Sequence, residues 1–130
     1  MNKIFLVFAF LLPITSYAEW LLVDVNEGAA FFIEDTSVEE SDGYVYFWML
    51  TNFHKPVPTT GHLSAKTLEE LDCKTPRKSR TLSISAYKEA MAVGNADITR
   101  SKAGNWVYFQ PNSTIELIAE TVCQLIILKN

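Results

Sequence analysis

Apolar and polar positions alternate in strand fashion along most of the chain, and a helical rhythm takes over only near its end. Trp20 to Val25 (WLLVDV) predicts a strand, and Asn26-Glu27-Gly28 is a turn signal. Ala29 to Ile33 (AAFFI) is short and apolar and reads as the hairpin partner. Glu34 to Gly43 (EDTSVEESDG) is acidic and polar, hence loop, and ends in the tight-turn pair Asp42-Gly43. Tyr44 to Phe53 (YVYFWMLTNF) is apolar on both faces and aromatic, which suits a central strand. A buried helix is the competing reading of that run, and the adjacent aromatics after an Asp-Gly turn argue against it.

Residues 54 to 62 carry two prolines and a glycine and form a loop. Leu63 to Cys73 has a Leu-Glu-Glu-Leu centre with helical propensity, but the strand-rich surroundings favour a strand. Lys74 to Ser79 is a basic turn around Pro76. Thr81 to Tyr87 alternates cleanly, with Leu82, Ile84 and Ala86 on one face and Ser83, Ser85 and Tyr87 on the other. Lys88 to Val93 suits a short helical turn stopped by Gly94-Asn95, and Ile98 to Lys102 is polar. Asn105 to Gln110 (NWVYFQ) reads as the last strand, after the Gly104-Asn105 turn. Pro111-Asn112 then opens a helix. Ser113 and Glu116 have capping-box spacing, and Ile115, Ile118, Ala119, Val122 and Ile126 form an apolar stripe. Strands followed by one helix make an α+β domain.

The start of the chain changes the compartment. Lys3, the apolar run Ile4 to Leu12, Pro13 and Ser16-Tyr17-Ala18 have the layout of a secretory signal peptide over 1–18. As a membrane anchor the run is short: nine residues at ~1.5 Å each cover about half of a ~30 Å hydrocarbon core. No cysteine follows Ala18 directly, so no lipid anchor is expected there, and no later stretch is long and apolar enough to span a membrane. The expectation is an exported protein, periplasmic or extracellular after cleavage, with residues 19–130 as a single domain. Two cysteines, Cys73 and Cys123, are then expected to form a disulfide in an oxidising compartment, against the alternative of two buried thiols. The formal charge is −4, unevenly spread: residues 19–72 are strongly acidic, while residues 73–130 hold 8 Lys/Arg against 4 Asp/Glu. A net negative chain is a poor candidate for nucleic acid.

Candidate chemistry is sparse. His54 and His62 flank the proline loop without a third ligand at useful spacing, so they read as solvated loop residues and no metal site is expected. No Ser lies in a G-x-S-x-G elbow. Glu39-Glu40 and Glu69-Glu70 are adjacent pairs whose members face opposite ways in a strand, which speaks against paired-carboxylate catalysis. No catalytic residue, enzyme activity or cofactor is expected. Lys74, Arg77, Lys78 and Arg80 place four cations in seven residues and can grip an anionic partner; a solvated turn balancing the acidic half is the competing reading. Tyr46 and Trp48 share one side of a strand and become an interface if the helix leaves that side uncovered.

Trp20, Tyr44-x-Tyr46-x-Trp48, Ser64-x-Lys66, Asp72-Cys73, Tyr87, Trp106, Pro111-x-Ser113 and Val122-Cys123 together resemble the surface-adhesin protein E domain family of Gram-negative bacteria. The resemblance covers nearly all of 19–124. It implies an antiparallel sheet of about six strands with a packed C-terminal helix, and pairing with a second copy as a homodimer. The family's namesake is an outer-surface lipoprotein that binds host matrix proteins such as vitronectin and laminin. The resemblance thus implies a non-enzymatic domain that binds a host or surface protein, or an anionic polymer at the cell surface. Its ligand-binding segments match no motif here, so no binding residue is carried over. The alternative is a periplasmic accessory or envelope-stress protein with no adhesive role.

Overall fold

The computed structural model describes residues 19–130; the expected signal peptide lies outside the described residues. Eight antiparallel strands form one sheet. They are β1 (Trp20–Val25), β2 (Ala29–Glu34), β3 (Glu39–Ser41), β4 (Tyr44–Phe53), β5 (Ser64–Asp72), β6 (Lys78–Tyr87), β7 (Ile98–Arg100) and β8 (Val107–Tyr108), followed by α1 (Thr114–Lys129). The order across the sheet is β1-β2-β4-β5-β6-β7, with β3 on β4 and β8 on β6.

Local chemistry sets each connection. The Asn26 side chain accepts from the amides of Gly28 and Ala29 at 2.9 and 3.0 Å, closing the first hairpin as an Asx turn. Asp42 and Gly43 both have positive φ, 53° and 84°, as a primed hairpin turn requires. The segment between β2 and β4, read from sequence as loop, contains a single 3₁₀ turn (Asp35–Ser37) and the short strand β3. One edge of β4 is thereby shared. β2 pairs with Met49 to Phe53, β3 pairs with Tyr44 to Tyr46, and the Ser37 hydroxyl accepts from the Trp48 amide between them at 3.0 Å.

β5 forms as a strand despite its Leu-Glu-Glu-Leu centre, because β4 and β6 satisfy its backbone on both sides. Pairing of β5 with β6 shifts register between Leu68 and Glu69: Leu68 faces Ser83, Glu69 faces Thr81, and Leu82 is the extra residue. The bulge inverts the alternation of β6, so Arg80 and Ile84, which strict alternation would place together, lie on opposite faces. The expected last strand is cut to Val107–Tyr108. It shares the outer edge of β6 with β7, and Gly104 donates to the Thr81 carbonyl at 2.8 Å between them. Residues 98–108 thus make one interrupted edge strand.

α1 lies across one face of the sheet. Ile118, Ala119, Val122, Cys123 and Ile126 are buried against Ile33, Val45, Phe47 and Leu71, with Val38 beside them. Apolar burial on this scale stabilises by roughly 1.5–3 kcal/mol for each large side chain. Ser113 is the N-cap, its hydroxyl accepting from the Glu116 amide at 3.2 Å. The return arm of the expected capping box is not made: the Ser113 amide donates instead to the Gln110 carbonyl at 3.3 Å. Cys73, just past β5, and Cys123 form a disulfide with their Cα atoms 5.9 Å apart. Among the described residues no helix is long and apolar enough to cross a membrane.

Candidate functional site

Alternation along β4 sends Val45, Phe47 and Met49 toward α1 and Tyr44, Tyr46 and Trp48 away from it. The helix-free face is covered in part. A strap at residues 89–92 closes its far end, where Met91 donates to the Asn52 side chain at 2.8 Å, Ala92 donates to the Ser64 hydroxyl at 2.8 Å, and Ser64 donates to the Glu89 carbonyl at 2.7 Å. Leu50 and Ser64 are fully buried beneath it. The stretch from Trp48 to Tyr44 is outside the strap and half-buried.

Two cation–aromatic groups occupy that stretch. In the first, the Lys66 ammonium from β5 sits 4.8 Å from the Trp48 ring centre and 5.7 Å from that of Trp20, so residues from β1, β4 and β5 converge. In the second, Lys78 and Arg80 from β6 approach the Trp106 ring at 4.9 and 4.7 Å, and Tyr44 lies beside it with ring centres 5.5 Å apart. Each such contact contributes about 0.5–1 kcal/mol when exposed and more when desolvated.

Glu70 joins the strands beneath the second group. Its carboxylate accepts from Tyr46 Oη at 2.5 Å and from Arg80 Nε at 2.6 Å. The hydrogen bond to Glu70 pushes the Tyr46 hydroxyl above its ordinary pKa, and burial and the Glu70 charge act the same way. Arg80 is therefore held in place, whereas Lys66 and Lys78 make no ion pair among the described residues. The face is an aromatic surface with two ammonium groups that make no direct ion pair among the described residues, although Asp72 lies across from Lys78 in the strand register. It has no nucleophile–base arrangement.

The four cations of the basic turn do not form one cluster. Lys78 and Arg80 lie in β6 on the helix-free face. Lys74 is exposed in the turn, its amide bonded to Asp72 Oδ1 at 2.9 Å. Arg77 lies toward the helix side, with Tyr108, Phe109, Glu116 and Glu120 around a cavity of about 380 Å³. Tyr46 and Trp48 do share the face the helix leaves open. Trp20, Lys66, Glu70 and Trp106 lie on the same face; Trp20, Lys66 and Trp106 are among the positions that carry the family resemblance, whereas nothing in the sequence marks Glu70 for binding.

The two histidines separate. His54 is exposed, its Nδ1 3.1 Å from the Glu27 carbonyl. His62, expected to be solvated, is buried, with Nε2 2.7 Å from Asp97 Oδ2. The loop folds back so that its last residues pair with β6 and with the segment before β7: Leu63 donates to the Tyr87 carbonyl at 2.9 Å.

The family described as surface-adhesin protein E matches residues 20–124. No curated protein matches the chain in sequence. Among solved structures, the selenomethionine form of Haemophilus influenzae protein E is similar at TM-score 0.57 and 19% identity, over 78% of this chain and 90% of that one. A second structure of that protein gives 0.56 and 17%, over 81% and 93%. Its crystal form II gives 0.56 and 17%, over 84% and 97%. At these identities the likeness shows a shared fold.

Proposed function

This chain belongs to the surface-adhesin protein E family, and on that premise we propose that it is an exported, non-enzymatic binding domain whose helix-free sheet face holds a protein or an anionic polymer at the cell surface. One observation carries the reading. Nine of the fourteen residues by which the chain resembles its family fall into two sets. Cys73, Cys123 and Ser113 build the fold, through the disulfide and the helix cap. Trp20, Tyr44, Tyr46, Trp48, Lys66 and Trp106 lie half-buried on the helix-free face, where packing of the core makes no demand for them. Large aromatics such as Trp and Tyr are the side chains that most often dominate binding energy at protein surfaces. Lys66 and Lys78 give an otherwise acidic chain a local attraction for anionic groups. The same reading includes cleavage of residues 1–18, no lipid anchor, and pairing with a second copy.

Binding to immobilised vitronectin, laminin and heparin at two salt concentrations tests this. Trp48→Ala and Lys66→Ala are expected to weaken binding by about tenfold or more, as interface anchors do. Higher salt should weaken the wild type more than Lys66→Ala. Arg77→Ala, which lies off the face, should bind as the wild type does. Equal loss in Arg77→Ala would move the site to the basic turn. A wild type that binds none of the three ligands would favour a periplasmic accessory role.

A further inference from the structure

The opposite face of the sheet holds a carboxylate that the binding face does not use. Glu69 is 4% exposed and pairs with no cation among the described residues. Its neighbour Glu70, one residue on and turned the other way, has both Arg80 and Tyr46. Both Glu69 oxygens depend on one donor, the Thr81 hydroxyl, at 2.9 and 3.1 Å. A carboxylate offers about four acceptor positions, so most of this one's capacity is unspent. The Thr67 hydroxyl, two residues earlier on the same face, is buried and also makes no hydrogen bond of normal geometry. Buried carboxylates in proteins are almost always paired, because an uncompensated charge in a low-dielectric interior is strongly unfavourable.

Glu69 borders a cavity of about 310 Å³ between β4–β6, the 104–109 segment and the start of α1. Met49, Phe109 and Ile115 supply apolar walls, while Ser79 and Thr81 supply hydroxyls beside the carboxylate. Arg80 is the other charged residue lining the cavity, and its Nε is committed to Glu70.

We propose that this cavity is a binding site for a small alkylammonium ion, with the ammonium on Glu69 and the alkyl chain against Met49, Phe109 and Ile115. Each half of the ligand answers one half of the site. A bare ammonium would compensate the charge and leave the apolar walls unused. A neutral alcohol would fill the walls and donate one hydrogen bond, but leave the carboxylate charge uncompensated. An anion would be repelled. The volume is at the low end of small-molecule sites, which favours a short chain. The site is separate from the helix-free face, and either can exist without the other.

The test is an NMR titration of the protein with n-pentylammonium chloride, against pentan-1-ol and ammonium chloride. Pentylammonium should produce saturable shifts at the Met49 methyl, Phe109 and Ile115. Pentanol and ammonium should each bind about tenfold more weakly or worse, given the strength of a hydrogen bond to a charged group. Glu69→Gln, nearly isosteric, should reduce pentylammonium affinity by a similar factor. In the wild type, acidification through the carboxyl titration should abolish pentylammonium binding and leave pentanol binding unchanged. Equal affinity for pentanol and pentylammonium, indifference to Glu69→Gln, indifference of pentylammonium binding to pH, or no saturable shift would each overturn the proposal.

Discussion

Two buried or partnered carboxylates respond to pH in opposite directions. Burial pushes the Glu69 carboxyl above its ordinary range, and the neighbouring Thr67 and Thr81 hydroxyls only partly offset this. The folded state then holds its proton to higher pH than the unfolded chain does. Glu69 therefore lowers stability as pH rises from the ordinary carboxylate value through the raised one, and the penalty is fully present above that. Asp97 behaves the other way. The hydrogen bond from His62 holds its carboxyl below the ordinary range, with Lys88 acting in the same sense and burial against it. Its contribution is present above the unfolded pKa and is lost as pH falls through the depressed folded value. Urea unfolding midpoints followed from pH 3 to 7 should resolve both. Glu69→Gln is expected to flatten the decline on the rising side, and Asp97→Asn the loss on the acid side. A Glu69→Gln profile that parallels the wild type would show that the carboxyl is not desolvated. His62 and Glu69 also show what alternation alone leaves unread. Burial of a polar side chain depends on what folds over it, and the segments over these two come from 35 and 12 or more residues away.

At the scale of elements, β4, the first hairpin and α1 were legible in the chain because each is long or bounded by turn chemistry that acts locally, whereas β5 has a helix-favouring centre and is decided by the strands on either side. The Leu82 bulge was not. Thr81 to Tyr87 reads as unbroken alternation, yet one inserted residue turns Lys78 and Arg80 to the face of Glu70 and Tyr46. The basic turn thus divides between two sides of the sheet. Nothing in the apolar pattern marks the bulge, because Leu82 is itself at an apolar position. β8 was overestimated for a related reason: a strand-like composition extends only as far as a free edge is available, and β7 already holds the other half of β6. α1 carries a direct test. Ser113→Ala removes the hydroxyl that accepts from the Glu116 amide. It should destabilise the protein by about 1 kcal/mol, read as a lower denaturation midpoint with unchanged slope. Because the return arm from Glu116 is absent, Glu116→Ala should have a much smaller effect in the same measurement.

For the whole molecule, the division of labour follows from one helix covering one face. Among the described residues no second layer covers the other side, so Trp20, Trp48 and Trp106 stay half-buried at the surface with lysines over them. The disulfide closes a loop with a sequence separation of 50 and stabilises by roughly 4 kcal/mol in the chain-entropy picture.

That same bond has a mechanical consequence. A pull applied at residues 19 and 130 travels along the chain to Cys73, crosses the S–S bond to Cys123 and leaves through the last turns of α1. β6, β7, β8 and the first half of α1 are bypassed and bear no tension. Of the strands that make the helix-free face, β1, β4 and β5 lie in the load path, while Lys78, Arg80 and Trp106 sit inside the shielded loop. Single-molecule extension should therefore fall short of the full contour by about 170 Å, at ~3.4 Å for each bypassed residue, and a reducing agent should release that length. An unfolding step of equal length with and without reductant would show that the bond does not carry the load.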